Sequence, residues 1–154
     1  MKKASYIIIF LIINFGGLAI GNWFMGDAVT GEWYSSLNKA PWTPPGWVFG
    51  FAWTAIMLCF SYYLAELFIE REKPTLWLVF LLAWLLNVSW NWFFFNQNMT
   101  NIGLFVLIAL TLTILYFFIT FRHDRLKWLK YLLVPYLIWL CIATSLNGYI
   151  LFNN

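Results

Sequence analysis

Two stretches carry the side chains best able to hold a small molecule: LLAWLLNVSWNWFFF at residues 81–95 and PYLIWLCIATSLN at residues 135–147. In the first, Trp84, Asn87, Asn91 and Phe94 recur at steps of three, four and three, which is one face of a helix, with Trp90 beside Asn87. In the second, Pro135, Trp139, Ala143 and Asn147 are each four apart. Indoles and amides on a shared face offer stacking and hydrogen bonding and no proton transfer. Tryptophan and tyrosine faces stack on π-systems for about 0.5–1.5 kcal/mol beyond area burial, and the indole N–H adds orientation. Asparagine is costly against lipid, so Asn87 and Asn91 should face an interior. The competing account is interhelical glue, since membrane hydrogen bonds average about 0.6 kcal/mol and bundles use them routinely. Glue suffices for either asparagine alone; two on one face with two tryptophans favour a lined pocket. Ala143, between Trp139 and Asn147, either admits a neighbouring helix or leaves room for a ligand.

The elements that must position these residues follow from composition. The chain has 154 residues, 63% apolar and only 10% charged, too little charge for a soluble domain. A spanning helix needs about 20 mostly apolar residues to cross about 30 Å of hydrocarbon. Five runs qualify, at about 6–25, 47–69, 76–95, 102–121 and 129–152. The expected fold is an all-α membrane protein, a single domain of five transmembrane helices. Lys2 and Lys3 before an apolar run resemble a signal peptide, yet the run is too long and no A-x-A site follows, so it is kept as the first span. Short connections predict that consecutive spans pack as antiparallel neighbours. Lys2, Lys3, Arg71, Lys73, Arg122, Arg125, Lys127 and Lys130 fall at one end and Lys39 alone at the other. That asymmetry puts the N-terminus in the cytoplasm and the C-terminus outside. It also accounts for the +3 net charge without nucleic acid.

One connection is long. Residues 26–46 hold Trp33, Tyr34, Trp42 and three prolines (Pro41, Pro44, Pro45). Prolines lower the entropy lost on ordering and the rings supply apolar surface. An ordered lid over the outer mouth of the bundle is therefore expected, in preference to a mere interfacial belt of the kind assigned to Trp23, Trp77 and Trp128. Trp47 and Trp53 lead from it into the second span. In the first span Gly17 and Gly21 form a GxxxG, a close-packing motif that leaves a homodimer open.

The acids Asp27, Glu32, Glu66, Glu70, Glu72 and Asp124 are read as lying between or outside the spans, which removes the usual proton relay. His123, the one histidine, is read as a solvated loop residue, and Cys59 and Cys141 as small apolar residues. No metal site and no general base are expected. The ligand suited to such a pocket is a flat, apolar amphiphile, its polar tail at the mouth, where Lys39 can pair with a carboxylate.

The chain resembles the tryptophan-rich sensory protein family (TspO/MBR), which includes the mitochondrial translocator protein or peripheral benzodiazepine receptor. The resemblance rests on W-Y-x-x-L-x-K followed by PWTPPGWVFG-x-x-W (Trp33 to Trp53), on Asn87-x-x-Trp90 with Phe94-Phe95, and on PYLIWLCIATSLN (Pro135 to Asn147). It implies a pocket under the lid that accepts porphyrins and isoquinoline-carboxamide or benzodiazepine-type drugs. Its ligand-binding residues would be Tyr34, Trp53, Asn87, Trp90, Asn91, Trp139, Ala143 and Asn147. It further implies light- and oxygen-dependent breakdown of protoporphyrin IX, the porphyrin serving as photosensitiser with no other cofactor and Trp53, Trp90 and Trp139 as its oxidisable neighbours. The alternatives are a facilitated transporter of tetrapyrroles or a ligand-responsive regulator. Mitochondrial members are linked to cholesterol import, but here the sterol motif after Tyr149 lacks its basic residue. The family's Lys-Pro-x-Trp also reads Lys39-Ala40-Pro41-Trp42, which bears on the conformation of the lid. Heavy use of Ile, Lys, Asn and Phe points to an A/T-rich genome and so to a bacterial plasma membrane.

Overall fold

The computed structural model describes residues 2–71, 73–121 and 126–154. His123, with Arg122, Asp124, Arg125 and Glu72, lies outside the described residues. The first apolar run forms α1 (Lys2–Met25), and a short α2 (Glu32–Ser36) follows within the long connection. The next runs form α3 (Gly46–Glu70) and α4 (Pro74–Asn91), the latter extended by a π-helical turn at Trp92–Asn96. Then come α5 (Thr100–Thr120), a short α6 (Leu126–Leu129), a 3₁₀ turn (Lys130–Leu133) and α7 (Val134–Asn153). Among the described residues there is no strand, and five helical stretches are long and apolar enough to span a membrane. They are apolar on all sides, and Ile12, Leu78, Phe105 and Leu112 stand exposed on the outer surface, as lipid-facing residues do.

Local chemistry sets the helix ends. Pro74 opens α4 at a position whose N–H would be unpaired in any case. Gly26 closes α1 at φ 50°, its N–H donating to the Asn22 carbonyl at 2.9 Å. Asn98 does the same after the π turn at φ 56°, while Met99 N donates to Phe93 O at 2.9 Å. Asparagine is among the few side chains that tolerate this left-handed region.

The helices form a ring in the order α3, α1, α4, α5, α7, with α7 returning to α3. This departs from the expected order, because α3 and α4, joined by a short link, are not packing neighbours along their length. A short link holds two ends together and says nothing of what lies between the shafts. Here α1 lies against both. Gly17 and Gly21 let α4 come close: a Cβ on Gly17 would stand 2.5 Å from Trp84 Nε1, and one on Gly21 2.7 Å from Asn91 Nδ2. Trp84 Nε1 donates to the Ile13 carbonyl at 3.0 Å across that seam. On the other side Asn14 Nδ2 donates to Ser61 Oγ at 2.8 Å, both groups buried. The GxxxG face is thus occupied within the chain.

At the end where α1 begins, rings fill the interior. Phe10 meets Phe68 at 5.0 Å and Phe80 at 5.2 Å, and Phe68 meets Trp77 at 4.5 Å. Phe60 bridges to Tyr136 at 5.5 Å and Phe117 at 6.0 Å. Trp77 therefore packs on the core as well as at the surface, whereas Trp23 and Trp128 are largely exposed. A second correction arises at the same end. Glu66 lies inside α3, not between spans, and is 3% exposed. Lys3 of α1 forms an ion pair with it and also donates to Tyr62 OH at 3.0 Å. An acid can sit four residues inside a spanning helix because a lysine from the neighbouring helix reaches down to it, which residue counting along one segment does not reveal.

Candidate functional site

At the opposite end, α1, α3, α4 and the connection before α3 line a cavity of about 700 Å³, within the range of small-molecule sites. The connection at residues 26–45 crosses its mouth. Ala40 is buried, and a turn follows with Pro41 at its second position: Thr43 N and Oγ1 donate to the Ala40 carbonyl at 2.9 and 2.7 Å. Pro44 and Pro45 then run extended into the start of α3. Displacement of the first proline by one residue thus places it where a β-turn takes proline most readily.

This lid is fastened on two sides. Toward α7, Trp42 Nε1 donates to Ser145 Oγ at 3.2 Å and its ring meets Tyr149 at 5.4 Å. Asn38 N donates to Asn154 Oδ1 at 2.8 Å, and Asn154 Nδ2 returns a bond to Asn38 O at 3.3 Å. Toward α4, Trp33 packs edge-on to Phe94 at 5.7 Å and Tyr34 meets Phe95 at 5.4 Å. The π turn makes this second contact available. Its i→i+5 bond, Gln97 N to Trp92 O at 3.0 Å, widens the helix so that Phe94 and Phe95 both lie over Trp90, at 5.4 and 5.6 Å.

Tyr34, Lys39, Trp53, Asn87, Trp90 and Asn91 all line the cavity. Asn87 is 9% exposed. Among the described residues, neither its amide nor that of Asn91 has a hydrogen-bond partner in the protein, so both present free donors and acceptors to the cavity. Lys39 Nζ lies 4.3 Å from the centre of the Tyr34 ring at the mouth. Burial pushes the Tyr34 phenol above its ordinary value, so it stays a neutral donor at physiological pH.

Trp139, Ala143 and Asn147 are placed elsewhere. Trp139 is buried behind Phe49, which meets it edge-on at 5.2 Å and itself faces the cavity. Ala143 is buried in the packing of α7. Asn147 sits behind Trp90: with its amide oriented to suit its neighbours, its nitrogen donates to Thr100 O at 2.8 Å, and its oxygen accepts from Trp90 Nε1 and Leu104 N, both at 3.3 Å. A stripe shows that residues share a face, not which partner that face meets.

Sequence reasoning passed over several walls. Phe49 and Phe95 line the cavity, as do Gly17 and Leu18 of α1. Gly46 and Gly50 leave bare backbone on α3, with open space where their Cβ atoms would be. The signal was present, two glycines four apart ahead of Trp53, but a glycine pair reads equally as close packing. A shallower apolar groove of about 460 Å³ runs between α1 and α4 on the lipid side, past Ile20, Phe24 and Trp92. Among the described residues no cluster of His, Cys, Asp or Glu could hold a metal.

A sequence model of the TspO/MBR family matches residues 8–152. The tryptophan-rich protein TspO of Bacillus cereus is 30% identical over 151 residues, covering 96% of this chain and 94% of that one. The tryptophan-rich sensory protein of Cereibacter sphaeroides is 37% identical over 119 residues, 75% of this chain and 73% of its own length. Protein CrtK of Rhodobacter capsulatus is 34% identical over 122 residues, 76% and 75% of the two chains.

Proposed function

This chain belongs to the TspO/MBR family, and we propose that the cavity under its lid binds porphyrins such as protoporphyrin IX, and flat drugs of the isoquinoline-carboxamide type, from the membrane. The observation that carries the reading is the pairing of two unpartnered amides, Asn87 and Asn91, with the ring faces of Trp53, Trp90, Phe49 and Phe95 in one cavity. Rings sandwich a flat π-system, the amides take its polar edge, and Lys39 at the mouth takes a carboxylate tail. A receptor-like membrane protein of this kind needs no acid–base machinery.

Orientation belongs to the same proposal. Lys2, Lys3, Arg71, Lys73, Lys127 and Lys130 lie at the end away from the lid, and the excess of basic residues on the cytoplasmic side of membrane proteins supports reading that end as cytoplasmic and the lid as outside. Trp53 and Trp90, as cavity walls, are the indoles a bound photosensitiser would oxidise under light and oxygen; Trp139, screened by Phe49, is reached only through that ring.

The test is a titration of the purified protein in detergent with protoporphyrin IX. Tryptophan fluorescence is followed first in the dark and then under illumination. Saturable quenching in the dark, lost on replacing Asn87 and Asn91 by Leu together, is the expected result. Quenching that survives the double replacement overturns the assigned site, and absence of quenching overturns the ligand class. Protein-dependent loss of the porphyrin band under light separates an oxidative role from binding alone.

A further inference from the structure

The lid and the cavity wall are joined by a closed circuit of contacts. From the lid, Trp33 and Tyr34 touch Phe94 and Phe95, and both phenylalanines touch Trp90. Trp90 donates its indole N–H to Asn147 on α7. The same last three turns of α7 then return to the lid through Ser145, Tyr149 and, just beyond them, Asn154.

Asn147 is the narrow point of that circuit. Its amide lies against Thr100 O and Leu104 N, which face each other across the first turn of α5. Such close approach needs room, and Gly103 supplies it: a Cβ there would stand 2.8 Å from the amide atom that is the oxygen in this orientation. Asn147 is 2% exposed, and its three bonds run to a helix start, a helix interior and a cavity wall. No other side chain links Trp90 to α7 by a hydrogen bond among the described residues.

We propose that Asn147 is a positioning residue that couples the lid to the cavity: by fixing the Trp90 indole against α7, it makes lid closure and the ring face offered to ligand one cooperative unit. The lid therefore closes tightly only when Trp90 is in place, and a ligand that stacks on Trp90 also holds the lid shut. The ligand half of this statement rests on the proposed porphyrin site; the coupling itself does not.

The experiment is limited trypsin digestion of the full chain in detergent, without ligand and well below its melting temperature. The bond read is Lys39–Ala40, protected in the closed lid because Lys39 lies on Tyr34 and Ala40 is buried. The exposed Lys127–Trp128 bond at the far end is the internal reference. Asn147→Leu is expected to speed cleavage at Lys39 about fivefold, the weight of one hydrogen bond, without changing cleavage at Lys127. Trp42→Phe opens the same circuit elsewhere, so the double variant should be cut no faster than about the faster single one. Leu140→Ala, buried two turns away on α7, should lower thermal stability and leave Lys39 protected. Should Asn147→Leu fail to fold, Trp90→Phe removes the same bond from the other side and carries the same expectation.

Unchanged cleavage in the Asn147 or Trp90 variant, effects that multiply in the double, or equal exposure in Leu140→Ala would each overturn the coupling. With protoporphyrin IX added, wild type should gain protection at Lys39 and Asn147→Leu should gain little. Absence of protection in wild type counts against the porphyrin reading alone, because the digestion without ligand stands by itself.

Discussion

The two ends of this bundle are built from the same kind of residue and do opposite things with it. At the end away from the lid, Phe10, Phe60, Phe68, Phe80 and Tyr136 meet one another in tilted and edge-to-face pairs and are almost wholly buried. At the lid end, Phe49, Trp53, Trp90 and Phe95 stand around about 700 Å³ of space. Aromatic content therefore does not decide between core and pocket. What differs is what stands between the rings. Where the interior is filled, a ring on each helix faces a ring on the next. Where it is open, glycines on α1 and α3 and unpaired amides on α4 interrupt the sequence of rings, and the lid bridges what remains.

Removing a ring from the filled end tests whether the two ends are independent. Phe60→Ala should cost about 3–5 kcal/mol of stability, as deletion of a buried aromatic does, while the surviving folded protein keeps its affinity for protoporphyrin IX. Thermal melting paired with a porphyrin titration checks both halves. Loss of affinity without loss of stability would mean that the two ends are not separate.

The converse change fills the open end. Gly50→Leu places a side chain in the space over α3 and should cut porphyrin affinity by at least about tenfold. Stability should rise by about 0.8–1 kcal/mol, since Leu is the better helix former and displaces nothing. A melting temperature that falls would show that the space is not open.

The ion pair sharpens the contrast at the filled end, because Glu66 is the buried acid there and Lys3 its partner. Lys3→Met removes the counter-charge of a buried carboxylate and should lower the melting temperature, by less than breaking a wholly buried pair because Lys3 keeps partial exposure. Lys3→Met with Glu66→Gln should recover most of that loss. An unrecovered double variant would assign the loss to packing of the lysine stem.

Smaller still is the expected effect of Asn87→Leu. With no protein partner to lose, it should leave the melting temperature unchanged while weakening porphyrin binding about fivefold, the weight of one hydrogen bond. The least change is expected with pH. Because burial raises the Tyr34 phenol, its contribution to the lid is fully present below the ordinary tyrosine value near 10 and is lost only as pH rises through the elevated one. Protection at Lys39 should accordingly show no Tyr34-dependent step between pH 6 and 9, tested by comparison with Tyr34→Phe.

Much of this was legible in the residues. Five apolar runs read as five spanning helices because the bilayer imposes length and hydrophobicity on each segment by itself. The proline- and tryptophan-rich connection announced its order for a similarly local reason, and the helical spacing of Asn87 and Asn91 put them on one face. What escaped depends on a second helix. Spacing on α7 put Trp139, Ala143 and Asn147 on one face and the family resemblance gave them to the ligand, yet Phe49 of α3 stands in front of Trp139 and Trp90 of α4 in front of Asn147. Gly17 and Gly21 advertised close packing without saying that Trp84 and Asn91 of the same chain would supply it. Glu66 was set among the loop acids because nothing near it in the chain names Lys3.

The π turn at Trp92–Asn96 is, in effect, one residue more than a regular helix would use. A single-residue deletion there would restore ordinary winding and close the widened turn that lets Phe94 and Phe95 both lie over Trp90. The lid would then face a different ring, although every residue type in the site would still be present. The alphabet of this pocket would survive such an edit, and its reading frame would not.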